Sequence, residues 1–563
     1  MKVYVGNQNQ ALTLTQNNYL AAGGEGTIYV KDRIAYKIYQ DPKKMIPTAK
    51  IQELSVIRDN RVIKPEDIIY DPSRQPIGYS MPYLSNTTAL CQIFPRSFRE
   101  RNNIDHHQIF DLVKQFQDTI QNVHKTGILI VDLNEMNFLL NQSFGDILFI
   151  DVDSYQTKSF PATALMPSIR DWKTPLNHFT ENSDWFSFGI VSFQMFTGIH
   201  PFKGKHPKIN DMEERMKAGV SVLDKQVKVP PVVYSFSVIP KEYYSWYESL
   251  FVNQKRSPPP NVFTKLMILV STQLNASTSS GGLEFVKLGE YDSNILYVLI
   301  TPFGKYIVTD FSIYKDNHII APYDKQYSGI TFSSKSNIPI AYIKSKDNFK
   351  FINLHNRKEV TLNITYSQFT TYKNRIFVQI GEKVYEILIN EIGENIVPTL
   401  KEISNVLEFG TKLIGGFFVQ SLLGTTTIVV SPKQDLTYQV RIPELNDYQI
   451  IEGKFDTSVI NLTGFNKKNK QYDKIVIRFN DDFSKYDLMI KNNISLGTVN
   501  LTVLPNKLMI SQVDEDNLQI KSTQLGVNKF KAVDISGNNL NLTSEGMIVL
   551  TYQNKELFQI KAK

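Results

Sequence analysis

Apolar positions change period several times along the first half of the chain, and each change marks an element. Alternation across Ile34-Ala35-Tyr36-Lys37-Ile38-Tyr39 predicts a strand carrying Ala35 and Lys37 on one face. Just before it, Ala21-Ala22-Gly23-Gly24-Glu25-Gly26-Thr27-Ile28-Tyr29-Val30 predicts a glycine-rich turn between two strands. Residues Lys43 to Asn60 read as a helix, with Pro47 early enough to be tolerated in a first turn. Ile77 to Leu84 returns to a strand. From Asp105 to Gly127 the pattern is an amphipathic helix: Ile109, Leu112, Val113, Phe116, Ile120 and Val123 recur on one side, Asp105 and Gln108 suit a capping box, and Gly127 suits the stop. Ser183 to Phe202 is apolar on almost every face and predicts a buried helix ending at Gly198. Asp184 at its start would be costly to bury unless it caps backbone N–H groups. Lys241 to Gln273 gives further helix, interrupted at Arg256-Ser257-Pro258-Pro259-Pro260.

Past Asn275-Ala276-Ser277-Thr278-Ser279-Ser280-Gly281-Gly282 the texture changes to short apolar strands of period two with tight turns. The expected organisation is therefore multidomain α+β: a first domain over 1–274, a linker over 275–282, and an all-β domain over 283–563. Paired strands begin near Ile376, Phe417, Ile475, Leu508 and Ile548, a spacing of about 40 residues, which is what four-stranded propeller blades need. About six or seven blades would fill this half, and a pair of β-sandwiches is the alternative.

Composition narrows the class. A chain of 563 residues is too long for one ordinary core, and 42% hydrophobic with 21% charged residues is the balance of a folded, soluble protein. The net charge of +7 is spread thinly, and clusters such as Lys43-Lys44 and Lys467-Lys468 are too short to indicate nucleic-acid binding. One cysteine, Cys91, excludes an intrachain disulfide and fits a reducing compartment. No run of 18 apolar residues exists and Met1 to Gln10 lacks an apolar signal core, so the expectation is a cytoplasmic protein without a membrane span.

The chemistry is concentrated between His124 and Gln156. Val131-Asp132-Leu133-Asn134-Glu135-Met136-Asn137-Phe138-Leu139-Leu140 places an asparagine five residues after an aspartate and then an apolar run, and Leu148-Phe149-Ile150-Asp151-Val152-Asp153-Ser154 follows. Together with Gly23-Gly24-Glu25-Gly26-Thr27, Gly78-Tyr79-Ser80-Met81-Pro82, Ile93-Phe94-Pro95-Arg96-Ser97 and Gly198-Ile199-His200-Pro201-Phe202, these residues resemble the eukaryotic-like Ser/Thr protein kinases over about residues 15–275. Within that region the four last-named motifs and Asp151-Val152-Asp153-Ser154-Tyr155-Gln156 resemble a bacterial subgroup that carries D-x-D-S-[FY]-Q in place of D-F-G.

The resemblance implies a two-lobed fold, with an N-lobe of about 1–84 and a C-lobe of about 85–274, that uses ATP with Mg²⁺ or Mn²⁺ and a protein substrate. By position, Gly23, Gly24, Gly26 and Ile28 would cover the phosphates, Ala35 and Met81 would flank the nucleotide, and Lys37 would bind phosphate and pair with Glu53. Asp132 would be the catalytic base, and Asn137 and Asp151 would hold metal; Asp153, two residues from Asp151 and on the same face of an extended strand, would either draw in a further ion or only fix the following turn. Asp184 would brace the catalytic loop with His124 beside it. Three departures stand out. Ile130-Val131 replaces the usual His-Arg, Asn134 stands where many kinases carry a lysine, and Met166-Pro167-Ser168 lacks the glutamate that Arg256 would meet. An active kinase whose β-domain recruits a protein partner is the first function compatible with this pattern; a pseudokinase scaffold and a small-molecule phosphotransferase are the others.

Overall fold

The computed structural model of the chain describes residues 1–6, 10–23, 25–162, 165–176, 178–230, 233–261, 279–280, 283–301, 303–494, 499–512, 517–527, 530–534 and 540–562. Gly24 and, apart from Ser279 and Ser280, the expected linker lie outside them. The chain divides into two units, Met1–Asn275 and Ala276–Lys563. Strands dominate, and among the described residues no helix is long and apolar enough to cross a membrane.

The first unit opens with one antiparallel sheet of seven strands: β1 (Lys2–Val5), β2 (Gln10–Thr13), β3 (Tyr19–Ala22), β4 (Gly26–Lys31), β5 (Ile34–Tyr39), β6 (Ile68–Tyr70) and β7 (Pro76–Pro82). Their spatial order is β2-β1-β6-β7-β5-β4-β3, which places β5 between β4 and β7. Lys37 is thus opposite Ile28 on one side and Tyr79 on the other, and Ala35 is opposite Met81. Two glycines permit this packing: a Cβ on Gly26 would stand 2.5 Å from the Ile38 carbonyl oxygen, and one on Gly78 would stand 2.0 Å from that of Lys37.

Helix α1 is short, Thr48–Leu54, where the sequence pattern predicts a helix over 43–60. Pro47 becomes its N-cap, and Pro42–Lys44 forms a separate 3₁₀ turn capped by Asp41. After α2 (Arg96–Arg101), α3 (His106–His124) follows the expected amphipathic pattern, with Asp105 accepting from Gln108 N at 2.8 Å. The other half of the expected capping box is absent, because the Gln108 amide donates to Phe144 O at 2.9 Å. A small sheet joins β8 (Thr88–Ala89), β9 (Phe138–Leu140) and β10 (Ile147–Phe149), and α4 (Glu181–Thr197) is buried almost throughout. Gly198 ends it with φ 81°. Phe116 on α3 meets Phe138, Phe149 and Phe188 at ring-centroid distances of 4.7, 5.4 and 5.3 Å. That aromatic knot fixes the β9–β10 hairpin, and with it the loops entering and leaving it. Helices α5 (Met212–Ala218) and α6 (Lys241–Tyr247) follow, α6 running into a wider turn over Glu248–Val252; of the helix expected over Lys241–Gln273, residues 262–273 lie outside the described residues.

In the second unit, six four-stranded antiparallel sheets follow one another in chain order, beginning with Ile295–Thr301, Gly329–Phe332, Gln368–Tyr372, Thr411–Ile414, Tyr448–Asp456 and Leu501–Val503. A further sheet draws on both ends of the unit: Leu283–Glu290 pairs with Glu556–Ala562, which pairs in turn with Ile548–Gln553. Ser279–Ser280, expected in a linker, pairs along the outer edge of that sheet. Buried clusters join each sheet to the next. Val308 shares a cluster with Ile330, Phe349 with Ile376, Phe377 and Phe417 with Ile460, Val459 with Leu501, Leu518 with Val549, and Leu550 with Ile307.

Candidate active site

Two loops carry the candidate residues, and one buried carboxylate organises the first. Asp184, fully buried in the first turn of α4, accepts from Ile130 N at 2.8 Å and Val131 N at 2.9 Å, and from His124 Nε2 at 2.8 Å. Three donors repay the cost of burying the charge. They also hold Val131, a β-branched residue, at φ 66°, in the left-handed region that its side chain disfavours. The chain turns there and presents Asp132. Asp132 Oδ1 accepts from Met166 N at 2.9 Å, while Asn137 Nδ2 donates to the Asp132 carbonyl at 2.9 Å. Asn134 is buried and caps the turn Glu135–Asn137 by accepting from Met136 N at 2.9 Å. Its amide is thus a bracket of the loop.

The second loop leaves β10. Asp151 adopts φ 60° and ψ 35°, a conformation aspartate tolerates better than most residues, and the turn Val152–Ser154 then sends Asp153 inward. Asp151 stays half-exposed and Asp153 is buried. Lys37 Nζ reaches Asp153 Oδ2 at 2.5 Å, Asp151 Oδ1 at 3.7 Å and Glu25 Oε2 at 4.0 Å. Tyr39 donates to Asp153 Oδ2 at 2.7 Å, and Lys50 Nζ, buried on α1, donates to the Asp153 carbonyl at 2.7 Å. Burial opposes the charge of Lys37, but Asp153 and Asp151 outweigh it and hold the ammonium above its ordinary range. Burial likewise opposes ionisation of Asp153, yet Lys37 and the tyrosine hydroxyls keep its carboxyl below the usual range. Asp151, set among protein groups although about half of its side chain reaches solvent, moves the other way, pushed up by desolvation and then by the charge of Asp153.

The structure thus gathers Lys37, Asp151 and Asp153, and separately Asp132 and Asn137 on the loop before the same hairpin. Ile28 lies opposite Lys37 by strand register, Ala35 two residues before Lys37 lies opposite Met81, and Met81 packs on the cluster of Tyr39, Ile51 and Tyr79. Gly23 donates to Gly26 O at 2.8 Å within the turn.

Two expectations change. Glu53 does not pair with Lys37: its Oε2 accepts from Ser159 N at 3.2 Å on the exposed side of α1, because Lys50 is the α1 residue that faces the turn. Arg256 does have a carboxylate, Asp171, three residues past the position where the resemblance would put it. The pair is bidentate, both bonds at 2.6 Å, with the guanidinium 4.5 Å from the Phe186 ring. Sequence reasoning missed Lys50, Tyr39 and Asp171. Lys50 sits four residues before Leu54, on the apolar face of α1, and that spacing was the available signal.

Among the described residues no group of three or more His, Cys, Asp and Glu side chains makes a self-sufficient metal site. Asp151 and Asn137 are oxygen donors of the kind Mg²⁺ or Mn²⁺ accepts when phosphate and water supply the remaining positions. The donor set fits such an ion on that condition.

Comparison with known proteins supports a kinase-like region in this chain. No family model matches it. Ribosomal protein S6 kinase alpha-3 of Mus musculus and of Homo sapiens are each 28% identical to it over 95 residues, covering 16% of this chain and 13% of theirs. A probable serine/threonine-protein kinase of Dictyostelium discoideum is 25% identical over 165 residues, 28% of this chain and 12% of the relative. The chain spans about an eighth of the length of these relatives.

Proposed function

We propose that the first unit is a two-lobed Ser/Thr protein kinase that moves the γ-phosphoryl group of ATP to a protein hydroxyl. The observation that carries this reading is the placement of Asp132 and Asn137 before one hairpin and Asp151 after it, with Lys37 facing Asp151 across 3.7 Å. Lys37 orients phosphate oxygens. Asp132 accepts the proton as the substrate oxygen bonds to phosphorus and the bridging oxygen departs. A Mg²⁺ or Mn²⁺ ion held by Asn137 and Asp151 would neutralise phosphate charge. Asp184 and the aromatic knot keep the two loops in place, so the unit contributes positioning, which is most of what phosphoryl transfer asks of a protein.

The seven sheets of the second unit are, in this reading, the blades of a β-propeller closed by the pairing of Leu283–Glu290 with Glu556–Ala562. It binds a protein substrate or partner. A cavity of about 600 Å³ lined by Lys373, Asn480, Asp481, Lys507, Gln524 and Ser544 collects polar side chains from four of the sheets and supports that role.

Incubation with labelled ATP and metal, followed by phosphosite mapping, tests the reading. Label should enter a Ser or Thr, and Lys37→Ala should cut the rate by at least about a hundredfold. A pseudokinase is the second reading, favoured by Ile130-Val131 in place of an arginine-bearing pair and by Asn134 being spent as a cap. ATP binding without transfer at any metal concentration would decide for it.

A further inference from the structure

Kinase-type sites pair the strand lysine with a carboxylate, and here the charges around that lysine are arranged unexpectedly. Helix α1 brings a lysine to the site, and the turn after β10 brings the carboxylate. Lys50 is buried at 6% exposure and spends its ammonium on the Asp153 carbonyl at 2.7 Å. Asp153, at 5% exposure, gives Oδ2 to Lys37 at 2.5 Å and to Tyr39 at 2.7 Å. Glu53, the acid on α1, points at Ser159. Two bonds from α1, Lys50 to Asp153 O and Glu53 to Ser159 N, therefore bolt the helix to the segment 151–159.

We infer that Asp153 is the positioning residue of Lys37, doing from the metal-side turn what a helix glutamate would do, and that Lys50 holds Asp153 in place. The inference rests on the kinase reading for its purpose, though the pair itself does not. A role for Asp153 as a metal ligand fits the geometry less well. Its Oδ2 is already occupied by an ammonium and a hydroxyl, and its Oδ1, though without a hydrogen-bond partner, is buried away from solvent. An ion there would compete with Lys37 for the same carboxylate. The arrangement also ties Lys37 to Asp151 through two residues of backbone, so the phosphate-facing cation and the exposed carboxylate are set by one turn.

The test reads Lys37 directly. Full-length protein without nucleotide is pulsed with an amine-acetylating reagent, and modification of Lys37 is measured by mass spectrometry. Lys37 should react slowly in the native chain, several-fold faster in Asp153→Asn, and faster also in Lys50→Met, which leaves the carboxylate in place but frees the turn. The double variant Asp153→Asn with Lys50→Glu returns a carboxylate to the site from α1, and should slow Lys37 again and recover nucleotide affinity lost in Asp153→Asn. Thermal melting of each variant identifies any that fail to fold, and the two single variants pose the question independently. Lys37 labelling unchanged in both single variants would overturn the proposal. So would a shift in the metal midpoint for nucleotide binding in Asp153→Asn with Lys37 labelling unmoved, which would make Asp153 a metal ligand. If Lys37 labelling behaves as stated while labelled ATP gives no transfer, the pair stands and the kinase reading falls.

Discussion

Buried charge does different work in the two units. In the second, Arg375 is bidentate to Glu386, both bonds at 2.7 Å, and donates to Ser431 O at 2.6 Å in the following sheet. Arg478 binds Asp487 at 2.7 and 2.5 Å and reaches Ser522 O and Val527 O at 2.9 and 2.8 Å, again one sheet on. Each guanidinium engages all three of its nitrogens and staples neighbouring sheets. In the first unit Asp184 is just as well satisfied, but Asp151 remains half-exposed with its nearest cation 3.7 Å away. A saturated charge fixes structure; an under-coordinated carboxylate held among saturated ones is positioned to bind something else.

Breaking the best-satisfied group should have the largest effect. Asp184→Ala leaves His124 and two backbone N–H groups buried without their acceptor and should cost the first unit about 3–5 kcal/mol, seen as an early melting transition by calorimetry with the second transition unmoved. Asp151→Asn should leave both transitions in place and lower phosphate transfer by at least about a hundredfold, measured with labelled ATP. Equal incorporation in this variant and the native chain would remove Asp151 from the site. Arg478→Met should cost the second unit about 1.5–3 kcal/mol in denaturant unfolding, because Asp487 keeps some access to water. The smallest effect concerns pH. His200 donates from Nε2 to Ser168 O at 2.8 Å and accepts from Phe202 N, and burial pushes its pKa down to about 3. Between that value and about 6.5 the unfolded chain binds a proton that the folded one does not, so stability of the first unit should fall as pH falls, by up to about 1.4 kcal/mol per unit from this group. His200→Asn should flatten that slope in unfolding titrations from neutral pH to about 5.

Local patterns made the elements around the site legible in the sequence. The apolar spacing of α3, its Asp105 cap, the all-round apolarity of α4 and its stop at Gly198 all depend on residues within a turn or two of each other. So did the alternation that put Lys37 and Ala35 on one face. What stayed hidden were partners chosen in three dimensions. Lys37 meets Asp153 across 116 residues, and Arg256 meets Asp171 across 85. Nothing in the neighbourhood of either basic residue names its acid, and the family pattern pointed to Glu53 and to a missing glutamate instead. In the second unit the strands were visible but not their grouping. Ile475 lies in the third strand of its sheet, Gln471–Phe479, whereas Phe417 lies in the second of its own, Phe417–Leu422; the sequence spacing between them was uneven for that reason. Alternation reveals a strand and leaves its neighbours undecided.

The sheet built from both ends of the second unit has a consequence for how the protein is made. Leu283–Glu290 emerges from the ribosome some 270 residues before its partner Glu556–Ala562. At roughly 5–20 residues per second that is a wait on the order of tens of seconds with one flank of the strand unpaired, an invitation to pair with the wrong chain. Ser279–Ser280 pairs early with Leu283 and Glu284 at the start of the other flank, and Lys287 between Glu284 and Glu290 puts charge along the waiting strand, the kind of guard an edge needs during synthesis.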